Sequence, residues 1–189
     1  RPPESSPEPD IEAAAAPRKS HSPRGPWSVG LGIRWDGGRL PSDGPGVQLE
    51  AAWAKGPWSL GGRLFGWPPS AGARRQGARA TFFGLGGGAL GCAGLPWVIR
   101  PETCVAVDLW TLRGSADGVA DPAEPWSLQV AVAARLQATW PVTGAWALRI
   151  GGELGLELNP ARFRVEELGE VHRVDRWLPS ASAAVIFRL

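Results

Sequence analysis

The sequence predicts an all-β fold, an eight-stranded antiparallel up-and-down transmembrane β-barrel with a disordered N-terminal tail. The first observation is a period of two. In residues 126–140, WSLQVAVAARLQATW, apolar residues occupy one parity and mostly small or polar residues the other. The second is that long and short connections alternate along the chain. A barrel that crosses a bilayer with short turns on one side and longer loops on the other has this order.

The N-terminal segment is predicted to be a flexible tail or linker. Residues 1–26, RPPESSPEPDIEAAAAPRKSHSPRGP, combine proline, serine and charge with almost no bulky apolar side chains. Such a segment cannot bury enough surface to offset its ordering entropy. Residues 27–189 are predicted to form one barrel domain. The chain has no initiating Met and no secretory signal, so we expect a processed or excised form.

Eight strands are predicted in the barrel domain. They span residues 27–35, 47–55, 58–67, 75–92, 104–113, 126–140, 146–158 and 180–189. The connections at 36–46, 67–75, 113–125 and 159–177 are long, those at 55–58 and 140–146 are tight, and 94–103 is of medium length. Both termini then lie on the side of the tight turns, which predicts a periplasmic N-terminal tail.

The composition argues against several other classes of protein. The net charge is only +2 and the basic residues are scattered, which gives little support to nucleic-acid binding. No apolar run approaches the ~20 residues that a membrane helix needs. The 26 glycines and 19 prolines argue against a helical bundle.

The polar face of the strands distinguishes two kinds of closed barrel. A lipocalin-like soluble barrel that binds an apolar ligand would point its apolar side chains inward, whereas a membrane barrel points them at lipid. The polar face here consists mainly of Gly, Ala, Ser and Gln, without the Lys, Glu and Thr expected against water. We therefore expect this face to line a narrow, side-chain-filled lumen.

Charged residues of both signs share the predicted inward parity. Arginine and carboxylate groups that pair with each other can fill a lumen without leaving an isolated buried charge. The predicted ion-pair network consists of Arg34, Glu50, Arg63, Arg79, Asp108, Arg135, Arg149, Glu153, Glu157 and Arg188.

Most of the 11 tryptophans lie at strand ends. Indole has an apolar body and one N–H donor, so it is favoured at the headgroup boundary of a bilayer. The predicted interfacial aromatic belt consists of Trp27, Trp35, Trp53, Trp58, Trp67, Trp126, Trp140, Trp146 and Trp177.

The two cysteines, Cys92 and Cys104, are close enough in sequence to pair. An oxidising compartment favours a disulfide between them, and two buried thiols are the alternative.

Two motifs suggest chemistry, and neither is assigned a catalytic role. GLGGGA at 84–89 has the spacing of a dinucleotide-binding turn, but the glycines and prolines that follow exclude the required helix.

His172 lies in a charged loop, where Ser180, Ser70 or Ser115 would be its serine partner in a hydrolase. A solvated loop is the favoured interpretation. His21, in the tail, supports no metal site by itself, and no cofactor is predicted.

The barrel resembles a known architecture. Alternating strands with aromatic ends, connections of alternating length and the closing segment ASAAVIFRL (181–189) are similar to the eight-stranded outer-membrane barrels of the OmpA and OmpX type. FRVEELGEVHR (163–173) before a final apolar strand is similar to uncharacterised myxobacterial barrels. Phe187 has the parity of the terminal aromatic that such barrels commonly carry.

These patterns predict an integral protein of the outer membrane of a Gram-negative bacterium, with a structural, anchoring or surface-adhesion role. We expect a monomer in contact with outer-membrane lipid, a protein partner at the tail or the outer loops, and no nucleic acid. The competing hypotheses are an outer-membrane lipid-modifying enzyme, of the kind that uses His with Ser and an acid near the outer rim, and the lipocalin-like carrier.

Overall fold

The computed structural model describes residues 25–75, 78–95, 97, 99–117, 126–165 and 169–189, with the backbone alone at 72–75, 78–79, 116–117, 164–165, 169 and 171. The predicted tail at 1–26 lies almost entirely outside the described residues. The strands are β1 (Trp27–Asp36), β2 (Gly44–Lys55), β3 (Trp58–Arg75), β4 (Ala78–Gly94), β5 (Arg100–Asp117), β6 (Trp126–Thr143), β7 (Trp146–Glu157), β8 (Arg162–Val165), β9 (Gly169–Arg173) and β10 (Trp177–Arg188). No helix among the described residues is long and apolar enough to cross a bilayer.

Eight of these strands close into one antiparallel barrel. Strands β1 to β7 pair in chain order, β10 pairs with β7, and the barrel closes between β10 and β1. The closing pair is in continuous register over nine residues, from Ser28 opposite Arg188 to Asp36 opposite Ser180. The predicted eight-stranded up-and-down barrel is thus confirmed.

The apolar parity of the strands faces outward. On β6, Leu128 and Leu136 are 61% and 67% exposed, whereas Gln129 and Arg135 are almost fully buried. The alternation continues around the barrel, because successive side chains of a strand point to opposite faces of the sheet. The outward direction of Leu128 is the opposite of what a lipocalin-like carrier requires.

Two tight turns mark one end of the barrel. Gly56 follows β2 with a φ of 62°, and Gly144 follows β6 with a φ of 46°. Both turns have two residues between paired strands, and such turns need a residue that tolerates positive φ at the first position. The 95–99 connection and both ends of the barrel sequence lie at the same end. We call it the turn end, and the opposite end the loop end.

The structure corrects the predicted connections at the loop end. The 67–75 segment is not a loop, because β3 continues to Arg75 and pairs with β4 on both sides of a bulge between Trp67 and Ser70. That bulge contains Pro68 and Pro69, so prolines that suggested a break are accommodated within the strand. The predicted 159–177 loop contains the β8–β9 hairpin.

The β8–β9 hairpin and its flanking residues contribute to an apolar cluster at the loop end. Phe163 and Val174 are buried there together with Phe82, Leu112 and Leu178. The ring of Phe163 lies edge-on to that of Phe82, with 5.4 Å between centroids. Apolar side chains therefore fill this end of the barrel, in contrast to the charged middle.

A disulfide joins Cys92 and Cys104 near the turn end. The two residues are direct partners in the register of β4 and β5, with 4.0 Å between their Cα atoms. Both side chains point into the barrel and are buried. The predicted disulfide is present, and the alternative of two thiols does not hold.

Candidate functional site

The inward parity of the strands places most of the predicted network residues in the lumen. Arg34, Glu50, Arg63, Asp108, Arg135, Arg149, Glu153 and Glu157 are all buried. The side chain of Arg79 lies outside the described residues. Arg188 is half-buried at the last position of β10, at the turn end. All of the buried members except Glu157, together with neighbours that the sequence did not predict, form two clusters.

The first, the loop-side cluster, is centred on Arg63. Its Nε donates to Oδ1 of Asp108 at 2.9 Å, and its Nη2 donates to Oδ2 at 2.7 Å. Its Nη1 and Nη2 both donate to Glu153, the latter at 3.0 Å. Strand β3 is thereby linked through the lumen to β5 and to β7, so Arg63 ties together strands that are not neighbours in the wall.

Arg34 extends the loop-side cluster. It donates from Nη2 to Glu153 at 2.9 Å and from Nε to Asp36 at 2.7 Å. Asp36 also accepts a hydrogen bond from the indole of Trp67 at 3.1 Å. With Arg39, the cluster holds three guanidinium groups and three carboxylates, Asp36, Asp108 and Glu153. Its formal charge is therefore balanced, as a low-dielectric interior requires.

Arg39 enters this cluster from the connection between β1 and β2, and its side chain is fully buried. Its only ion pairs among the described residues are long, 3.6 Å to Asp36 and 3.5 Å to Asp108. Aromatic rings surround the guanidinium, whose carbon lies 5.3, 5.3 and 5.1 Å from the ring centroids of Phe65, Trp67 and Trp110. Burial is the main influence that lowers the pKa of Arg39 below its ordinary value.

The turn-side cluster is centred on Glu50. Its two carboxylate oxygens accept hydrogen bonds from Arg135 at 2.8 Å and from Arg149 at 2.9 Å. Arg149 also donates to the hydroxyl of Thr139 at 3.1 Å, and Arg135 to that of Ser182 at 3.1 Å. Two guanidinium groups thus share one carboxylate, and neutral hydroxyls accept some of the remaining donors.

A smaller polar group lies closer to the turn end. Gln137 donates to Glu102 at 2.6 Å, and Arg100 pairs with the same carboxylate at 3.0 Å. Arg100 also donates to the backbone carbonyl of Gly56. Side chains therefore fill the lumen at successive levels from the loop end to the turn end.

The GLGGGA motif has a structural explanation in the wall of the barrel. A Cβ atom at Gly86 would lie 2.4 Å from Cβ of Trp110, and one at Gly88 would lie 2.1 Å from a carboxylate oxygen of Asp108. A Cβ at Gly84 would lie 2.9 Å from the ring of Trp67. These alternate glycines of β4 leave space for the large and charged side chains of the lumen.

Eight of the nine tryptophans predicted for the belt are outward-facing or only half-buried. Trp27, Trp53, Trp58, Trp140 and Trp146 lie towards the turn end, and Trp35, Trp126 and Trp177 lie towards the loop end. Trp67 is the exception, because its ring is buried in the lumen against Trp110. The expectation for Trp67 was therefore wrong. Trp67 has the same parity as Arg63, and this signal was available in the sequence.

His172 lies in β9 and packs on the loop-end apolar cluster. Its Nε2 is 3.0 Å from the backbone carbonyl oxygen of Arg39, and its ring lies edge-on to Phe82. Burial lowers the pKa of His172, against a raising influence of the Arg39 contact and nearby Asp175. The described residues place no serine hydroxyl in hydrogen-bond contact with this ring. The residues that the structure describes include no group of three His, Cys, Asp or Glu residues suited to a metal ion.

Sequence reasoning missed three charged residues of the lumen, Asp36, Arg39 and Glu102. Asp36 has the same parity as Arg34 and lies one residue beyond the strand predicted at 27–35. Glu102 has the same parity as Asp108 and lies just before the strand predicted at 104–113. Longer strand bounds would have found both residues. Arg39 lies in a connection, where no periodicity gives the direction of a side chain.

Solved structures show the same fold. Neisserial surface protein A is 11% identical with a TM-score of 0.53, and the match covers 86% of this chain and 96% of that one. Ail of Yersinia pestis, solved with the heparin analogue sucrose octasulfate, is 8% identical with a TM-score of 0.56, over 86% and 97% of the two chains. A major outer membrane protein of Thermus thermophilus is 9% identical with a TM-score of 0.60, over 86% and 99%.

Sequence comparisons add no closer assignment, since no protein-family model and no curated protein matches the chain. The three structures come from Neisseria, Yersinia and Thermus, so the resemblance to myxobacterial barrels stays a prediction. Identities of this size establish the fold alone. By its closed topology and by these structural matches, the chain has the fold of the small eight-stranded outer-membrane β-barrels.

Proposed function

We propose that this protein is an integral outer-membrane β-barrel with a structural, anchoring or surface-adhesion role and a side-chain-filled lumen. The observation that carries the proposal is an inverted distribution of side chains, with large apolar residues outside and ion pairs inside. The outward set includes Leu31, Ile33, Leu49, Leu60, Leu64, Val105, Leu109, Leu136 and Leu154. Lipid is the solvent that suits such a surface.

The outward tryptophans support the same orientation. They lie towards both ends of the strands, where a bilayer presents its headgroups. Short turns face the periplasm in barrels of this kind, so the N-terminal tail is periplasmic in this proposal. Digestion of the tail by a protease added to intact cells would contradict that orientation.

Arginine substitution on β6 tests lipid exposure. Leu136 lies between the tryptophans of the strand and Val142 lies next to the β6–β7 turn, and the two side chains are 67% and 64% exposed. A cation near the bilayer midplane costs about 2 to 4 kcal/mol and much less near the interface. We expect Leu136→Arg to reduce the amount of folded protein in lipid vesicles strongly and Val142→Arg to reduce it little. Equal tolerance of both changes would contradict a membrane location.

Exposed arginines favour adhesion within this proposal. Arg162 and Arg173 lie directly opposite each other on β8 and β9, and Arg176 follows closely. None of the three is in an ion pair with a carboxylate of the described residues. Like charges directly opposite each other are destabilising, and an anion would relieve this repulsion. The sulfated ligand in the Ail structure supports a sulfated polysaccharide as the class of ligand.

A binding assay tests the adhesive role. We expect the folded protein to bind a heparin-coated surface at low salt and to be released as the salt concentration rises. Arg162→Gln with Arg173→Gln should weaken binding about tenfold. Lys55→Gln, which removes one positive charge away from the hairpin, is the control, because Lys55 is exposed at the turn end. An equal loss in both variants would show that binding follows overall charge instead of the hairpin.

A further inference from the structure

Arg39 differs from the other buried arginines in the way it is held. Arg63 makes short hydrogen bonds to two carboxylates, whereas Arg39 has two nitrogens, Nε and Nη1, without a hydrogen-bond partner among the described residues. Its closest carboxylate oxygen is 3.5 Å away. The three aromatic faces around its guanidinium are therefore the main contacts of this charged group.

A carboxylate in the same region is also incompletely paired. Glu157 is buried, and its Oε2 accepts a hydrogen bond from the indole of Trp110 at 3.0 Å. Its Oε1 has no partner within the described part of the chain. A donor with two missing contacts and an acceptor with one missing contact thus lie around the same indole. Aromatic faces and carboxylates together favour a bound cation, and Arg39 leaves some of the available contacts unmade.

These contacts define an aromatic cage formed by Phe65, Trp67 and Trp110, with Asp36, Asp108 and Glu157 as its acids. Ring faces attract guanidinium groups, most strongly where water is excluded, and carboxylates supply complementary charge. We propose that this cage is a guanidinium-binding site, which the chain fills with its own Arg39 and which accepts a guanidinium group from outside when that side chain withdraws. The proposal does not depend on the adhesive role of the hairpin.

Arg39 can withdraw only when contacts at the loop end open, because its neighbour Leu40 is buried in the apolar cluster there. Arg39 belongs to the 37–43 connection at the loop end, so its withdrawal needs no change in strand pairing. The connection is held by contacts that include His172 Nε2 to the Arg39 carbonyl and Asp175 N–H to the Gly38 carbonyl, both at 3.0 Å. A tethered side chain competes at an effective concentration of about millimolar. An external ligand must exceed that competition.

Chemical complementation tests the site in the complete chain. Arg39→Ala empties the cage, and we expect methylguanidinium chloride to raise the thermal unfolding midpoint of this variant in detergent micelles. Methylammonium chloride at equal concentration should be at least about tenfold less effective, because it lacks the planar group that stacks on aromatic rings. The unaltered protein should respond to methylguanidinium chloride only at higher concentration than Arg39→Ala, because the salt must displace the tethered Arg39 side chain. The absence of any saturable response in the unaltered protein would show that Arg39 does not leave the cage.

Two variants serve as controls. Arg39→Ala combined with Trp110→Ala should lose the response, because one wall of the cage is absent. Arg176→Ala, which removes an exposed arginine at the same end, should show no response to either salt. An Arg39→Ala response that is equal for the two salts, or that persists without Trp110, would overturn the proposal.

A refolding measurement covers the case in which Arg39→Ala does not fold alone. The yield of folded protein should then recover in methylguanidinium chloride and not in methylammonium chloride, and equal yields would refute the site. A short peptide with one arginine, compared with the same peptide carrying lysine, identifies the source of the group. Binding of the arginine peptide indicates a polypeptide ligand, and binding of methylguanidinium alone indicates a small molecule.

Discussion

At the scale of single residues, the lumen is stabilised by buried charges that have few other partners than each other. Glu153 receives hydrogen bonds from both Arg34 and Arg63, and Glu50 receives them from both Arg135 and Arg149. Each carboxylate therefore compensates two guanidinium groups in a region where water is scarce. Loss of one carboxylate leaves more than one cation underpaired, so the acids are the sensitive members of these clusters.

Glu153→Ala is expected to destabilise the barrel. Breaking a buried ion pair by removing one partner costs about 3 to 5 kcal/mol, because the other charge stays buried without compensation. Chemical unfolding in detergent micelles measures the loss. Glu170→Ala removes an exposed carboxylate on β9 and should change the free energy of unfolding by no more than about 0.5 kcal/mol. Similar losses in the two variants would show that Glu153 is not compensating buried cations.

At the scale of secondary structure, β4 is a regular strand although several of its inward positions are glycines. Gly84, Gly86 and Gly88 all face the lumen, opposite residues that need the space. The strand still pairs with β3 and β5, because the hydrogen-bonded ladder does not depend on side chains. The spacing of these glycines matches a nucleotide-binding turn, but the glycines and prolines that follow in the sequence already argue against that function, and the structure uses the same glycines for packing.

Gly86→Ala is expected to destabilise the barrel through overpacking. The added methyl would lie 2.4 Å from Trp110 and 2.5 Å from Phe65, and forced insertion of a methyl into a filled interior costs about 1 to 3 kcal/mol. Gly152→Ala is the control, because a Cβ there has no neighbour within 4 Å. Thermal unfolding of both variants tests this. A midpoint for Gly86→Ala as high as that for Gly152→Ala would show that the lumen is loosely packed at this level.

The strands and the connections differ in how far the sequence predicts their structure. A period of two is a local property, so it predicted the direction of Arg63, Asp108 and Glu153 without knowledge of the fold. The pairing of Arg63 with Glu153 was not predictable, because it depends on how β3 and β7 face each other across the closed barrel. Connections carry no such period, and both Arg39 and the β8–β9 hairpin were missed for that reason.

At the scale of the whole molecule, side chains block the barrel at several levels. The hairpin and its apolar cluster cover the loop end, the loop-side and turn-side clusters cross the middle, and the Gln137, Glu102 and Arg100 group lies near the turn end. Eight strands enclose an interior just wide enough for side chains. The side chains of the described residues therefore favour a filled lumen over an open channel.

The filled lumen predicts that the purified barrel shows no steady ion conductance in planar bilayers. The same result is expected after the hairpin, residues 162–173, is replaced by a short Gly-Ser linker, because the ion pairs of Arg63 with Asp108 and Glu153 lie below it and still cross the lumen. Single-channel recording of both proteins, with a large porin as the positive control, measures this. A stable open-channel current from the unaltered protein would contradict a filled lumen. A current from the shortened variant alone would show instead that the hairpin, and not the charged clusters, closes the barrel.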